Sequence, residues 1–396
     1  MRLFMSRGRL PLTLVLAVAG AAIGVAAAVS PASAMSSART SASAAVSASA
    51  VAPAAAEPAA LNAVACRTVS DCMAVGANTP TMPTQLAADR WNGKKWSRVA
   101  MPKPAGVGSA TADGVACPAN RECVAVGVAY PVKGTGPYAL AAHWNGARWT
   151  TGKAATPGSS SFLTAISCPT TASCYAVGQY TPKGKTSFTA LIEHWNGKNW
   201  AQQAAPLPHG TSGGGLLAVS CPKASFCVAT GFTGSGELIE RWNGKGWSAT
   251  APAAPALTSL YGVSCPTAAS CFAVGGTGAR TVAEKWNGKT WSKSTVPAPA
   301  GSSQPSLDSV SCVTAARCLA VGSDLTPRVF ADLWNGKSWR PVSMATTGGH
   351  LGAFQQVQCL GANSCVALGS VSPFDAAWRS ESAFWNGKSW KVVLTA

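Results

Sequence analysis

Along residues 58–396, apolar positions alternate with small or polar ones in short runs. Nowhere do they show the 3.6-residue period of a long helix. A run such as Leu260-Tyr261-Gly262-Val263-Ser264-Cys265 reads as one strand. Five residues later, Cys271-Phe272-Ala273-Val274-Gly275 reads as a second. After a loop of variable length comes a third strand ending in acid-x-Trp, as in Glu284-Lys285-Trp286. Asn287-Gly288 then predicts a two-residue hairpin loop in which both residues take positive φ. A fourth strand starts around Trp291 and runs into a Pro-, Ala- and Gly-rich connection.

This unit recurs. Trp-Asn-Gly-x-x-Trp occurs seven times, its first Trp at 91, 144, 195, 242, 286, 334 and 385 and its second five residues later. Only Trp378 lies outside the motif. Upstream of each copy stands a pair of Cys with five residues between: Cys66 and Cys72, Cys117 and Cys123, Cys168 and Cys174, Cys221 and Cys227, Cys265 and Cys271, Cys312 and Cys318, Cys359 and Cys365. The units repeat every 44 to 53 residues. Four short strands at that period are the signature of a propeller blade, and seven of them predict a seven-bladed β-propeller over 58–396. The first unit opens on its first strand and the last closes on its fourth, so no strand exchange is expected to lock the ring.

The spacing also predicts packing. With Asn92-Gly93 as the loop, Trp91 would face Lys94 and Asp89 would face Trp96, which puts both Trp on one face of the sheet. Trp pairs at one position in every unit read as filler between blades; sugar-stacking platforms are the alternative. Two Cys six apart across a hairpin face each other, and their side chains come close enough for a disulfide. Metal binding is the rival reading, but seven C-x5-C pairs without a His partner are a poor zinc pattern. One disulfide per blade is therefore expected, with no cofactor implied.

The N-terminus carries Arg2, Arg7 and Arg9, an apolar stretch over 10–29 and Ala32-Ser33-Ala34, which together read as a signal peptide over 1–34; an uncleaved anchor is the alternative. Residues 35–57, mostly Ser, Ala, Val and Pro, cannot bury a core and read as a linker. Export puts the chain outside the cell, where disulfides persist. Charge matters next. The formal net charge is +17, and +14 once the three Arg of the leader are removed. Such a surface favours anionic partners such as cell-wall polymers, and nucleic acid is not expected of an exported protein. A soluble basic surface without specific meaning is the bland alternative.

One unit bears a resemblance. Cys271-Phe272-Ala273-Val274-Gly275-Gly276, then Glu284-x-Trp286-Asn287-Gly288 and Trp291, resembles a kelch repeat, the unit of propellers that include the galactose-oxidase type. The whole of 58–396 also resembles exported actinobacterial proteins built from Cys-paired W-N-G repeats, which have no assigned function. Only this unit has the double Gly, Trp replaces the Tyr of kelch, and the Cys pair is foreign to it. The resemblance therefore implies a fold and no activity.

Catalytic signals are sparse. His143 and His194 occupy the position before W-N-G, where other units have Arg90, Arg241, Lys285, Leu333 and Phe384. His209 and His350 fall in connections between units. Asp89, Glu193, Glu240, Glu284 and Asp332 are repeat-position acids, and no H-x-H, H-E-x-x-H or G-x-S-x-G occurs. Function is expected on loops that the repeat leaves free. The Cys hairpins and Asn-Gly turns are uniform and share one face of a propeller. The second-to-third-strand segments vary, at 130–138, 180–188, 232–236 and 371–382, and share the other face with the inter-unit connections. Four residues before the first Cys stand Asn62, Asp113, Thr164, Leu217, Tyr261, Asp308 and Gln355, each after an apolar residue. Asn62, Asp113, Thr164, Tyr261, Asp308 and Gln355 are the ligand-binding candidates, at the channel mouth on the variable face; residues that merely hydrate the channel are the plain alternative. Lys94, Lys198, Lys245, Lys289, Lys337 and Lys388 follow Asn-Gly on the uniform face, with Ala147 interrupting the series. The sequence thus favours a secreted, monomeric, non-catalytic binding or scaffold protein for a glycan or an extracellular protein, with no membrane insertion after cleavage. Its rivals are an exported hydrolase or oxidase with a site around Asp113, Asp308 and Tyr261, and wall attachment through the Lys ring.

Overall fold

A computed structural model describes residues 59–395, apart from 79–83, 135, 212, 251–257, 298, 300, 326–327, 345–350 and 373–378. The expected signal peptide and linker, and His350, lie outside the described residues. Twenty-eight strands form seven antiparallel sheets of four, each built from consecutive strands. The protein is an all-β seven-bladed propeller, numbered here from blade 1. The innermost strands are Ala59–Thr68, Val107–Ala119, Ser160–Thr170, Gly214–Lys223, Ser259–Thr267, Ser306–Thr314 and Leu351–Gly361. Among the described residues, no helix is long and apolar enough to cross a membrane.

All seven Cys pairs are disulfides, with Cα atoms 3.9–4.1 Å apart. In blade 1, Cys66 pairs with Cys72, Cys72 with Trp91, and Trp91 with Trp96. One row of Cys, Cys, Trp and Trp thus crosses the whole sheet, and the other blades repeat it. The row packs on the preceding blade: Trp144 and Trp149 of blade 2 meet Val75, Leu86 and Ala88 of blade 1. The first Trp also ties turn to hairpin, since the Trp91, Trp242, Trp286 and Trp334 indole N–H groups donate to carbonyls in their own Cys hairpins. Ten of the fourteen motif Trp are buried, and Trp195, Trp200, Trp242 and Trp390 are half-buried, in keeping with filler between blades.

The turn register differs from the sequence expectation. Trp91 faces Trp96, and Asp89 faces Arg98, so the loop has four residues rather than two. Only the Gly takes positive φ, at +89° for Gly93. The Asn acts through its side chain: Asn92 Oδ1 accepts the N–H groups of Lys94 and Lys95, both at 2.9 Å. Asx capping of the loop, and not a left-handed Asn, is the reason for Asn here. Both Trp still share a face, because either register separates them by an even offset.

Ring closure relies on side chains. From blade 3 to blade 7, the Ser before the first Cys accepts the N–H of the next blade's first Cys, as Ser167 does from Cys221 (3.0 Å) and Ser311 from Cys359 (2.8 Å); Ala65 and Ala116 hold that position in blades 1 and 2. At the seam between blades 7 and 1 a longer residue takes over. Gln358 accepts from the Cys66 N–H at 2.5 Å and donates to the Cys66 carbonyl at 3.1 Å. Ser380 accepts from Leu61 N–H at 2.6 Å and donates to the Ala59 carbonyl at 2.7 Å. Trp96 Nε1 finds Ser382 Oγ at 2.9 Å, whereas the second Trp of every other blade has no protein partner for its Nε1. Ser380→Ala would leave a buried N–H and carbonyl unpaired, so we expect denaturant titration to show a loss of about 2 kcal/mol; unchanged stability would show that the seam is held elsewhere.

Candidate binding face

The Cys hairpins and Asn-Gly turns lie at one end of the blades, and the second-to-third-strand loops and inter-blade connections at the other. Two of the variable segments are shorter as loops than their sequence suggested. In blade 4, Thr233 pairs with Gly236, leaving a two-residue turn. In blade 7, pairing of Val371 with Arg379 carries strand well into 371–382.

Besides the shift beside its Cys hairpin, each of the seven inner strands breaks register at one equivalent place. The partners skip from Leu61 to Ala63 and from Ala112 to Gly114. They likewise skip from Leu163 to Ala165 and from Leu216 to Ala218. The last three skips run from Leu260 to Gly262, Leu307 to Ser309 and Phe354 to Gln356. The skipped residues are Asn62, Asp113, Thr164, Leu217, Tyr261, Asp308 and Gln355. The varied position of the inner strand is thus a β-bulge, where a strand bends and an unpaired residue is re-aimed. Each bulge residue is half-buried, while the apolar residue before it is fully buried. A Gly on the second strand faces each bulge; a Cβ on Gly178 would stand 1.9 Å from the Phe162 carbonyl oxygen.

The bulge residues differ in their commitments. Asn62 Nδ2 donates to Asp113 Oδ1 at 3.0 Å and to the Ala112 carbonyl at 3.2 Å, linking blades 1 and 2. Thr111 donates to Asp113 Oδ2 at 3.1 Å. Desolvation pushes the Asp113 carboxyl up to about 6, against the pull of the bonds from Thr111 and Asn62. Thr164 donates to the Leu216 carbonyl of blade 4 at 2.9 Å. Asp308 accepts from Ser306 at 2.9 Å and Ser323 at 3.3 Å. Tyr261 and Gln355 have no hydrogen-bond partner among the described residues.

Two features were not legible in the repeat comparison. Burial and, after it, the Asp113 charge raise the Tyr130 hydroxyl at the end of blade 2's second strand. A cleft of about 360 Å³ opens on the same face, lined by Val107, Lys133, Tyr138, Lys153 and Ser161, with Lys153 Nζ 4.6 Å from the Tyr138 ring centroid. The length of the 130–138 segment was its only sequence signal.

The His and repeat-position acids lie elsewhere. His143 packs 4.6 Å from Trp195, and His194 stacks on Tyr175 at 4.5 Å with Ser173 Oγ at 3.0 Å from its Nε2. Burial lowers both imidazoles. Asp89, Glu193, Glu240, Glu284 and Asp332 are fully buried, on the same sheet face as the Trp that follows two residues later. Desolvation pushes Glu193 and Glu240 up to about 8 and Asp332 up to about 7. No group of three or more metal-ligating side chains occurs among the described residues.

Known propellers share this architecture. The structure is similar to YCF48 bound to D1 peptide (13% identity, 79% of this chain and 91% of that one, TM-score 0.52). It is similar to YCF48 from Cyanidioschyzon merolae (13%, 80% and 94%, 0.53). It also resembles the GH74 xyloglucanase from Xanthomonas campestris (13%, 83% of this chain and 58% of that one, 0.54). Likeness at this identity extends to the fold alone. No family model and no curated protein matches the chain.

Proposed function

We propose that this is an exported, kelch-related binding protein that engages a glycan or polypeptide at the channel mouth on its variable-loop face. The observation that carries this reading is the set of seven bulges. The scaffold repeats its Cys, Trp, Asn and Gly in every blade, yet turns one non-repeating residue of each inner strand out of the ladder, all at the same end. Side chains of different chemistry presented by rigid strands are what selective recognition needs. Tyr261 and Gln355 are the strongest contacts, since neither is committed within the protein. The peptide in the YCF48 complex supports a polypeptide ligand, as a propeller of similar fold holds one.

Glycan and peptide arrays test the reading. Retention at physiological salt is expected, with at least a tenfold loss in Tyr261→Ala with Gln355→Ala and a native melting curve, a loss of about 1.4 kcal/mol or more. No retention, or retention indifferent to both changes, would sink it. One observation favours a hydrolase at the same mouth: a carboxyl held near pH 6 is suited to acid–base work, and Asp113 is such a group. Turnover in a substrate screen that Asp113→Asn abolishes would decide for that reading.

A further inference from the structure

The acids of this protein are placed unevenly. Among the described residues, the five repeat-position acids and Glu237, Asp324 and Glu381 are all below 5% exposed. Asp113 and Asp308 sit half-buried in the inner strands. That leaves Asp71 and Glu122, both in Cys hairpins of the turn face. Asp71 is engaged by Arg67 and Arg90, at 3.3 and 3.0 Å. The Lys and Arg have no such bias toward the interior. Six turns expose a Lys directly after Asn-Gly, and blade 2 exposes Arg148 one place later. Arg67, Arg121, Lys223 and Arg317 add cations at the Cys hairpins. The turn face is therefore almost unopposed positive charge.

In all seven turns the Asn Oδ1 is taken by two backbone N–H groups, for example in Asn145, Asn243 and Asn335. The Asn side-chain acceptors are thus occupied, and the charged groups exposed at the tips are ammonium in six blades and the Arg148 guanidinium in blade 2. A surface whose exposed charge is almost all cationic fits ligands dense in anionic acceptors. The charges are chiefly Lys, compact point charges that attract phosphate by charge density and not through a bidentate fork.

We propose that the turn face docks a linear phosphodiester polyanion, gripped by charge density around the ring and independently of the loop face. Among the described residues the turn-tip Lys side chains make no hydrogen bond or ion pair, so Lys→Gln at 94, 198, 245, 289, 337 and 388 should leave the melting temperature unchanged. A matched control replaces Lys133, Lys153, Lys183, Lys185, Arg280 and Lys293 by Gln, with the same change in net charge.

The probes are fluorescent poly(glycerol phosphate) and an oligodeoxythymidylate, two sources of one phosphodiester chemistry, read by anisotropy against salt. We expect both to bind the disulfide-bonded protein. The turn variant should lose about tenfold or more at low salt, with a shallower slope of log affinity on log salt; the control should lose about threefold or less. The tighter of the two probes then identifies the source. Equal weakening of both variants would reduce the effect to net charge and overturn the proposal. So would polygalacturonate or anionic lipid vesicles bound as tightly as the phosphodiester chains, or an unchanged affinity and slope in the turn variant.

Discussion

Raising the pH from about 6.5 to about 8 is expected to lower the melting temperature, on the order of 5–10 °C. The cause is the buried carboxyls between blades. Across the strand, Asp89 has Arg98, with Nε 2.5 Å from Oδ1. The corresponding neighbours are Ala249 for Glu240 and Pro341 for Asp332, which cannot donate from a side chain. Among the described residues neither Glu240 oxygen has a hydrogen-bond partner, and Glu193 has only the Ala155 N–H, at 2.8 Å. Desolvation therefore keeps Glu193 and Glu240 protonated up to about pH 8 and Asp332 up to about 7.

In the unfolded chain these carboxyls ionise near pH 4. From there to about pH 8 the native state binds more protons than the unfolded state, so stability falls as pH rises. His143 and His194 work the other way, since burial lowers them; the unfolded imidazoles are half deprotonated at about pH 6.5, so their effect is complete by about pH 7.5. Above that point the carboxyls act alone. Glu240→Gln should melt higher than the parent at pH 8 and show a flatter pH profile. Asp89→Asn, which breaks an ion pair, should be less stable throughout. A flat profile in the parent, or a Glu240→Gln curve parallel to it, would contradict the assignment.

The second large effect is expected at Gly178. A Cβ there would meet Phe162 O at 1.9 Å and the Leu163 Cα at 2.9 Å. Both are backbone atoms of the neighbouring inner strand, so no side chain can swing away. The bulge at Thr164 must open, and with it the Thr164 bond to the Leu216 carbonyl. Gly178→Ala should cost about 3 kcal/mol or more in denaturant titration. Gly152→Ala is the control: it lies in an outer strand, with nothing within 4 Å of a built Cβ, and should change stability by about 0.5 kcal/mol or less. Equal tolerance of the two would mean that the bulge does not depend on its facing Gly. The same substitution tests the binding reading, because it displaces a bulge residue without altering any of them.

Much of this was legible in order along the chain. Blade number, strand order, Cys pairing and the shared face of the two Trp are set by neighbours within one hairpin, where spacing fixes geometry. The turn was misread because Asn-Gly supports two loop lengths. The choice fell to the Asn side chain, which caps the longer loop in every blade, as with Asn92. The variable position was visible as a departure from the repeat, but its bulge was not, although the Gly at positions such as 178, 231 and 275 was its trace.

The sequence by itself thus determined the blade and its count, since these rest on alternation and local spacing. Only the tertiary structure decided what lies between blades and what faces the axis. Packing of one sheet on the next buried the repeat-position acids that the sequence showed merely as charges, and left the turn face to Lys and Arg. Closure brought Gln358, Ser380 and Ser382 to blade 1 from some 300 residues away. No local pattern encodes such meetings, because they follow from the ring closing on itself.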